Sequence, residues 1–306
     1  MVENQNSTLN IFQEFSKIRK KPLYIYSGAI GEITEECFLN FLINTYLPNN
    51  QNDSLDIILN TYGGCPHSGY KVAMLLLKYV KDFSVFVPYK AKSAGTLMSL
   101  SADRITLSAL GELGPLDTQV LDFEKGVPNF QSTLDSFAAL DEIRKHHIDV
   151  INHFRIQLLG EKTNLKPAEI ISLAIDFAEA SSSKLYQKVD LKAIGSHSRA
   201  MKISIDYGTR ILDSRMNKKR IGMNINTSQQ VDEVVNSLVL GFPDHASIIG
   251  VQELNNIKLP LYKPNDLEMS LLNTMNPLMS SLLKGGKTIS ESFSFEIEEV
   301  LNEKLS

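Results

Sequence analysis

The sequence predicts an α/β protein built on a mainly parallel sheet, and three observations carry that reading. Short apolar runs recur at 22–26 (PLYIY), 55–59 (LDIIL), 83–87 (FSVFV) and 104–107 (RITL), each of strand length. Turn or helix-breaking residues close the first three: Ser27-Gly28, Gly63-Gly64 and Pro88. Segments of helical period lie between the strands, and strands alternating with helices are the mark of βαβ units.

Taken in order, the strand at 22–26 is followed by residues 33–47, whose apolar positions, Cys37 among them, recur at helical spacing. The second strand stops at Asn60-Thr61-Tyr62-Gly63-Gly64, and 68–80 then reads as a helix with Val72, Leu75, Leu76 and Tyr79 on one face. Residues 94–102, small and apolar between the third and fourth strands, fit a buried helix. Further on the pattern becomes helical: 134–159, 167–178 (opened by Pro167), 191–216 and 228–240. A short apolar piece at 246–251 precedes a small helix near 252–255. From Pro264 the chain is mostly polar, with no core pattern until 297–301. Residues 263–306 are therefore expected to form a C-terminal extension, loosely attached or used as an oligomer contact. The Gly-Val-Pro-Asn stretch at 126–129 is the best break in the chain, and reads as a loop inside one domain rather than a linker.

The bulk numbers exclude several classes. A chain of 306 residues, 43% hydrophobic and 22% charged, is ordinary globular material and needs no disulfide staples. The net charge of −4 gives no basic excess for nucleic acid or an anionic membrane surface. Cys37 and Cys65 are too few and too far apart for a disulfide framework. The polar opening, Met1 to Asn10, lacks the apolar stretch of a signal peptide, and no run approaches the length of a membrane span. The expected location is the cytoplasm. No Cys/His cluster has metal-ligand spacing, and no metal or organic cofactor is expected.

Two short elements carry chemistry. Gly63-Gly64 directly follows a strand, where glycine permits positive φ and lets backbone N–H groups approach a ligand. Such donors aimed at one point stabilise an oxyanion, although a plain strand-to-helix turn accounts for the same pair. Cys65, next in line, is placed like a thiol of lowered pKa at a helix start, but also like a small turn residue. The second element is Lys92-Ser93-Ala94-Gly95-Thr96, in which Ser93 opens the small-residue helix and the Ala94 N–H is free to face a developing oxyanion. A helix N-cap serine is the bland alternative. In a parallel sheet the two turns end at the same edge, where ligands bind, so they form one constellation.

These residues, with Gly111-Glu112-Leu113-Gly114-Pro115-Leu116-Asp117, resemble the ClpP/crotonase superfamily. Within it the sequence looks like the serine dehydrogenase proteinases, distant relatives of ClpP and of the signal peptide peptidase SppA. The resemblance covers about 55–119 and is weaker from 238 to 259. It implies a spiral of ββα units, here as a serine peptidase domain over 1–262 with a helical insertion at about 130–240. It implies a peptide or protein substrate, a homo-oligomer, a Ser93 nucleophile and an oxyanion hole from Ala94 and Gly63 or Gly64. The family order, Ser-Asp-His, implies Asp117, which follows Ser93 by 24 residues, as the orienting acid and His245 as the base. The dehydrogenase part of the family name finds no counterpart, since no Gly-x-Gly-x-x-Gly follows a strand.

The base has rivals. His146, His147 and His153 lie on a long predicted helix and His197 on another, where surface or packing roles are ordinary; His67 follows the Gly-Gly turn and could line the cleft. Asp244 adjoins His245 and is badly placed to orient it. A Ser–Lys dyad is the alternative, since burial lowers a lysine pKa; Lys145 lies at an SppA-like separation from Ser93, and Lys92, adjacent to it, would point away. Two other functions remain open: a catalytically weak scaffold of the same fold, and crotonase-type chemistry on an acyl thioester, in which the oxyanion donors stabilise an enolate and no serine is needed.

Overall fold

The computed structural model describes residues 2–49, 53–116, 119–122, 129–160, 165–187, 189–220 and 225–293. Helix α1 (Val2–Arg19) leads into β1 (Leu23–Ser27). Helix α2 (Glu32–Phe41) runs through a π-helical turn, Leu42–Tyr46, into the single turn α3 (Leu47–Asn49). Next come β2 (Ser54–Asn60), α4 (Pro66–Tyr79), β3 (Asp82–Val87) and the two-residue β4 (Lys90–Ala91). The short α5 (Ala94–Ser99), β5 (Arg104–Leu107) and β6 (Glu112–Leu113) follow. Beyond lie β7 (Gln119–Asp122), β8 (Asn129–Ser132), α6 (Thr133–Gly160), α7 (Pro167–Tyr186) and α8 (Leu191–Asn217). The described chain ends with α9 (Ser228–Leu240), α10 (Val251–Asn256), α11 (Asp266–Lys284) and β9 (Ile289–Phe293).

The main sheet has the order β5-β3-β2-β1-β9. Its four strands from β5 to β1 are parallel, and β9 adds an antiparallel edge. Every residue of β1 and β2 is buried. That explains why these strands read as continuous apolar runs instead of alternating ones: both faces of a parallel sheet are covered. The mixed α/β class with a mostly parallel sheet is thus the one the sequence predicts.

The chain forms two compact units, Met1–Asp117 with Ile203–Ser306, and Thr118–Lys202. In the second, β7 and β8 form an antiparallel pair and α6 lies along α7. The rings of Phe154 and Phe177 stack there, and the His147 ring lies over Tyr186. The expected helical segment at about 130–240 is therefore shared: α6 and α7 belong to the second unit, whereas α9 belongs to the first.

The tail requires a correction. Residues 266–284 are not loosely attached; they form a core helix. Leu272, Met275 and Met279 on α11 are fully buried and pack with Phe12 and Phe15 of α1 and with Leu23 and Ile25 of β1. Each such side chain contributes roughly 1.5–3 kcal/mol by leaving water. Arg19 pins the same region. Its guanidinium reaches Asp56 at 2.7 Å and Glu268 at 2.9 Å, and lies over the rings of Phe86 and Tyr262.

Candidate functional site

The site is assembled where two strand ends run side by side. Beyond β2, the Thr61 N–H donates to the Lys90 carbonyl at 2.7 Å, and the Lys92 N–H donates to the Thr61 carbonyl at 3.0 Å. This ladder carries Gly63-Gly64 to Ser93. A Cβ placed on Gly63 would lie 2.9 Å from the Ser93 Cβ and 2.9 Å from the Lys92 carbonyl oxygen. Gly63 has φ +103° and Gly64 φ +145°, and a Cβ on Gly64 would strike the Ile30 carbonyl oxygen at 2.2 Å. Both positions therefore require glycine.

Ser93 has φ +49° and ψ −111°. Positive φ is strained for a residue with a side chain, and a serine held so on a sharp strand-to-helix turn presents its hydroxyl outward. The hydroxyl makes no cap bond to α5, so the plain N-cap alternative does not describe it. Ser93 is half-buried at the head of a helix whose six residues are all buried.

The backbone donors divide clearly. The Gly63 N–H donates to Thr61 Oγ1 at 2.9 Å. The Gly95 N–H donates to the Lys92 carbonyl. Among the described residues the N–H groups of Gly64 and Ala94 have no protein acceptor, and Gly64 is exposed.

A second weld joins the serine motif to the Leu-Gly-Pro-Leu run. Thr96 Oγ1 lies 2.9 Å from the Ala91 carbonyl oxygen and 2.7 Å from that of Gly114, and it accepts the Gly114 N–H at 3.1 Å. β4 and β6 pair in parallel alongside. Leu113 and Ile249 exchange backbone bonds of 3.0 and 3.1 Å, which brings the 241–248 loop to this edge.

His245 sits in that loop, half-buried. Asp117 lies outside the described residues. His67 is exposed on the first turn of α4, with Nδ1 2.7 Å from the Tyr207 hydroxyl. Lys145 is exposed and ion-paired with Asp141 and Glu142. Its pKa is raised, first by the Glu142 hydrogen bond and then by Asp141, the reverse of what a lysine base needs. Cys65 is half-buried at the start of α4.

Sequence reasoning missed the part played by Lys92. Its ammonium is buried, 3.0 Å from Glu112 Oε1 and 3.0 Å from the Ser247 carbonyl oxygen. Burial lowers its pKa, while Glu112 works in the opposite sense. No local pattern announces a lysine bonded to carbonyls 155 residues away.

The fold and this turn geometry define an α/β protein with a serine at a strained strand-to-helix turn. Residues 43–174 match the family model of the ClpP-like SDH-type serine proteinases, and over that stretch the resemblance read from the motifs is borne out. Two curated proteins of Methanocaldococcus jannaschii are similar. The uncharacterized protein MJ0137 is 29% identical over 39% of this chain and 44% of its own length. The uncharacterized protein MJ1495 is 27% identical over 39% of this chain and 42% of its own. The match thus spans less than half the length of either relative. Two structures of the 1510-N membrane-bound stomatin-specific protease, one with a substrate peptide, share 15% identity over 49% of this chain. They are covered to 74% and 70% and superpose with a TM-score of 0.32, too slight to bear on the site. Among the described residues no helix is long and apolar enough to cross a membrane.

Proposed function

We propose that this chain is a serine peptidase-like hydrolase that works by acyl transfer to Ser93. The observation that carries the proposal is the Ser93 turn itself: a positive φ of +49°, no cap bond, and an unengaged Ala94 N–H next to it. A serine hydroxyl needs a base. In this reading His245 takes the Oγ proton as Oγ bonds to the substrate carbonyl carbon. The oxyanion is held by the N–H groups of Ala94 and Gly64, because Gly63 donates to Thr61. His245 then returns the proton to the departing amine as the carbon–nitrogen bond breaks. Water, deprotonated by the same histidine, cleaves the acyl ester and restores Ser93. Asp117 orients the imidazole. The substrate class is peptide or protein, and the assembly is a homo-oligomer, in keeping with the family.

The test is hydrolysis of a diverse peptide panel by the wild-type protein and by the Ser93→Ala, His245→Ala and Asp117→Asn variants. Turnover by the wild type and loss in Ser93→Ala is the expected result. Equal turnover by Ser93→Ala would remove the serine from the reaction. Absence of turnover across the panel would favour a second reading, a scaffold of the same fold with little catalysis.

A further inference from the structure

We propose that Lys92 is a positioning residue that latches the loop carrying His245 against the strand end carrying Ser93. The inference rests on the assignment of Ser93 and His245 as nucleophile and base, and it names the group that fixes one relative to the other.

The geometry is specific. Lys92 precedes Ser93 in the chain, and Ala246 and Ser247 follow His245. The Lys92 ammonium donates to the Ser247 carbonyl at 3.0 Å and the Leu113 carbonyl at 3.3 Å, with the Ala246 carbonyl at 3.5 Å. Glu112 supplies the countercharge at 3.0 Å and also pairs with Lys90 at 3.1 Å. Lys92 is only 6% exposed. A buried ammonium has three protons to place, and unplaced ones are costly, so the loop carbonyls are held by a strong, charge-assisted donor.

The surroundings are cut to admit this side chain. A Cβ on Gly114 would lie 2.5 Å from the Lys92 Cδ, so the Leu-Gly-Pro run leaves room for the lysine stem. Asp244 and Ser247 bond to each other, by the Ser247 N–H to the Asp244 carbonyl at 3.2 Å and by their side chains at 3.2 Å. The next fixed point is the Leu113–Ile249 bridge. Lys92 therefore supplies the connection from the backbone directly after His245 to the backbone directly before Ser93. In this arrangement the histidine backbone is set in advance relative to Ser93.

The test compares Lys92→Met and Lys92→Arg in the full-length chain, by amide hydrogen exchange and by the rate of fluorophosphonate labelling. Lys92→Met is expected to speed exchange at Ser247 and Ile249, whose N–H groups donate to the Asp244 and Leu113 carbonyls, at least tenfold, leave β1 to β3 unchanged, and slow labelling at least tenfold. Lys92→Arg, which keeps the charge, should recover most of both. In a His245→Ala background Lys92→Met should slow labelling no more than about twofold further, because the lysine acts through the histidine. Unchanged exchange in the loop, or equal slowing in both backgrounds, would overturn the latch. A wild-type protein that does not label, with a loop loosened by Lys92→Met, would sink the serine assignment and leave the latch standing. Should Lys92→Met not fold, Glu112→Gln keeps the lysine but removes its countercharge. Intermediate loosening of the loop is then expected, and no loosening overturns the proposal.

Discussion

Gly63 and Ser93 touch: a methyl group on the glycine would be held 2.9 Å from the serine Cβ, inside any real carbon–carbon contact. Neither residue is placed independently. The serine is at φ +49°, strained for a residue with a side chain, and the glycine at φ +103°, a conformation that favours glycine, and the two meet at one point. Strain concentrated in this way is a mark of functional sites.

Gly63→Ala should therefore be costly twice over. The backbone conformation alone costs about 1–3 kcal/mol, and the collision adds to it. A lowered melting temperature with labelling of Ser93 reduced at least tenfold is the expected outcome. A fully stable, fully labelled variant would show that the turn tolerates a side chain.

The Arg19 cluster makes a prediction about stability. Arg19 and Asp56 are both buried, and removing the cation leaves a buried carboxylate unpaired. Arg19→Met should lose about 3–5 kcal/mol in denaturant unfolding. A loss below about 1 kcal/mol would place the pair among weak surface bridges.

Acid should act partly through Glu268. Burial pushes its carboxyl up, but the Arg19 hydrogen bond and the Asn265 backbone N–H outweigh this and hold it below the usual range. A depressed folded pKa means stability that is present above the unfolded value and lost as pH falls through the folded one. The relevant window lies below the ordinary carboxyl value of 4.5. Glu268→Gln should flatten the fall in stability across that window, measured as unfolding free energy against pH.

Helix α11 gives a packing prediction. Leu272 is fully buried against α1 and β1, so Leu272→Ala should cost about 2–5 kcal/mol. Deletion of residues 264–306 should abolish folding, because it removes the α11 side chains that pack on α1 and β1 and the β9 edge of the sheet. A folded, soluble truncation would restore the picture of a dispensable tail.

That helix also shows where sequence reading loses sight of the fold. β1, β2, β3 and β5 announce themselves because they are largely buried on both faces and their residues are mostly apolar. Gly63-Gly64 and Ser93 are visible because turn chemistry is local. On α11 the buried face is Leu271, Leu272, Met275, Met279 and Leu283, interleaved with Asn, Ser and Thr and interrupted by Pro277. Its buried positions recur at helical spacing, but Pro277 and the polar residues between them make the stretch read as polar. β9 reads Ile-Ser-Glu-Ser-Phe and is a strand chiefly because β1 offers it an edge. Lys92 is legible only in three dimensions, since its partners at 246 and 247 meet it through tertiary packing.

The central claim is that Ser93 is the nucleophile. Fluorophosphonate labelling followed by mass mapping of the adduct tests it most directly. The account predicts a single adduct on the peptide containing Ser93, absent in Ser93→Ala. Undiminished labelling of Ser93→Ala, or an adduct on another residue of the wild-type chain, would contradict it.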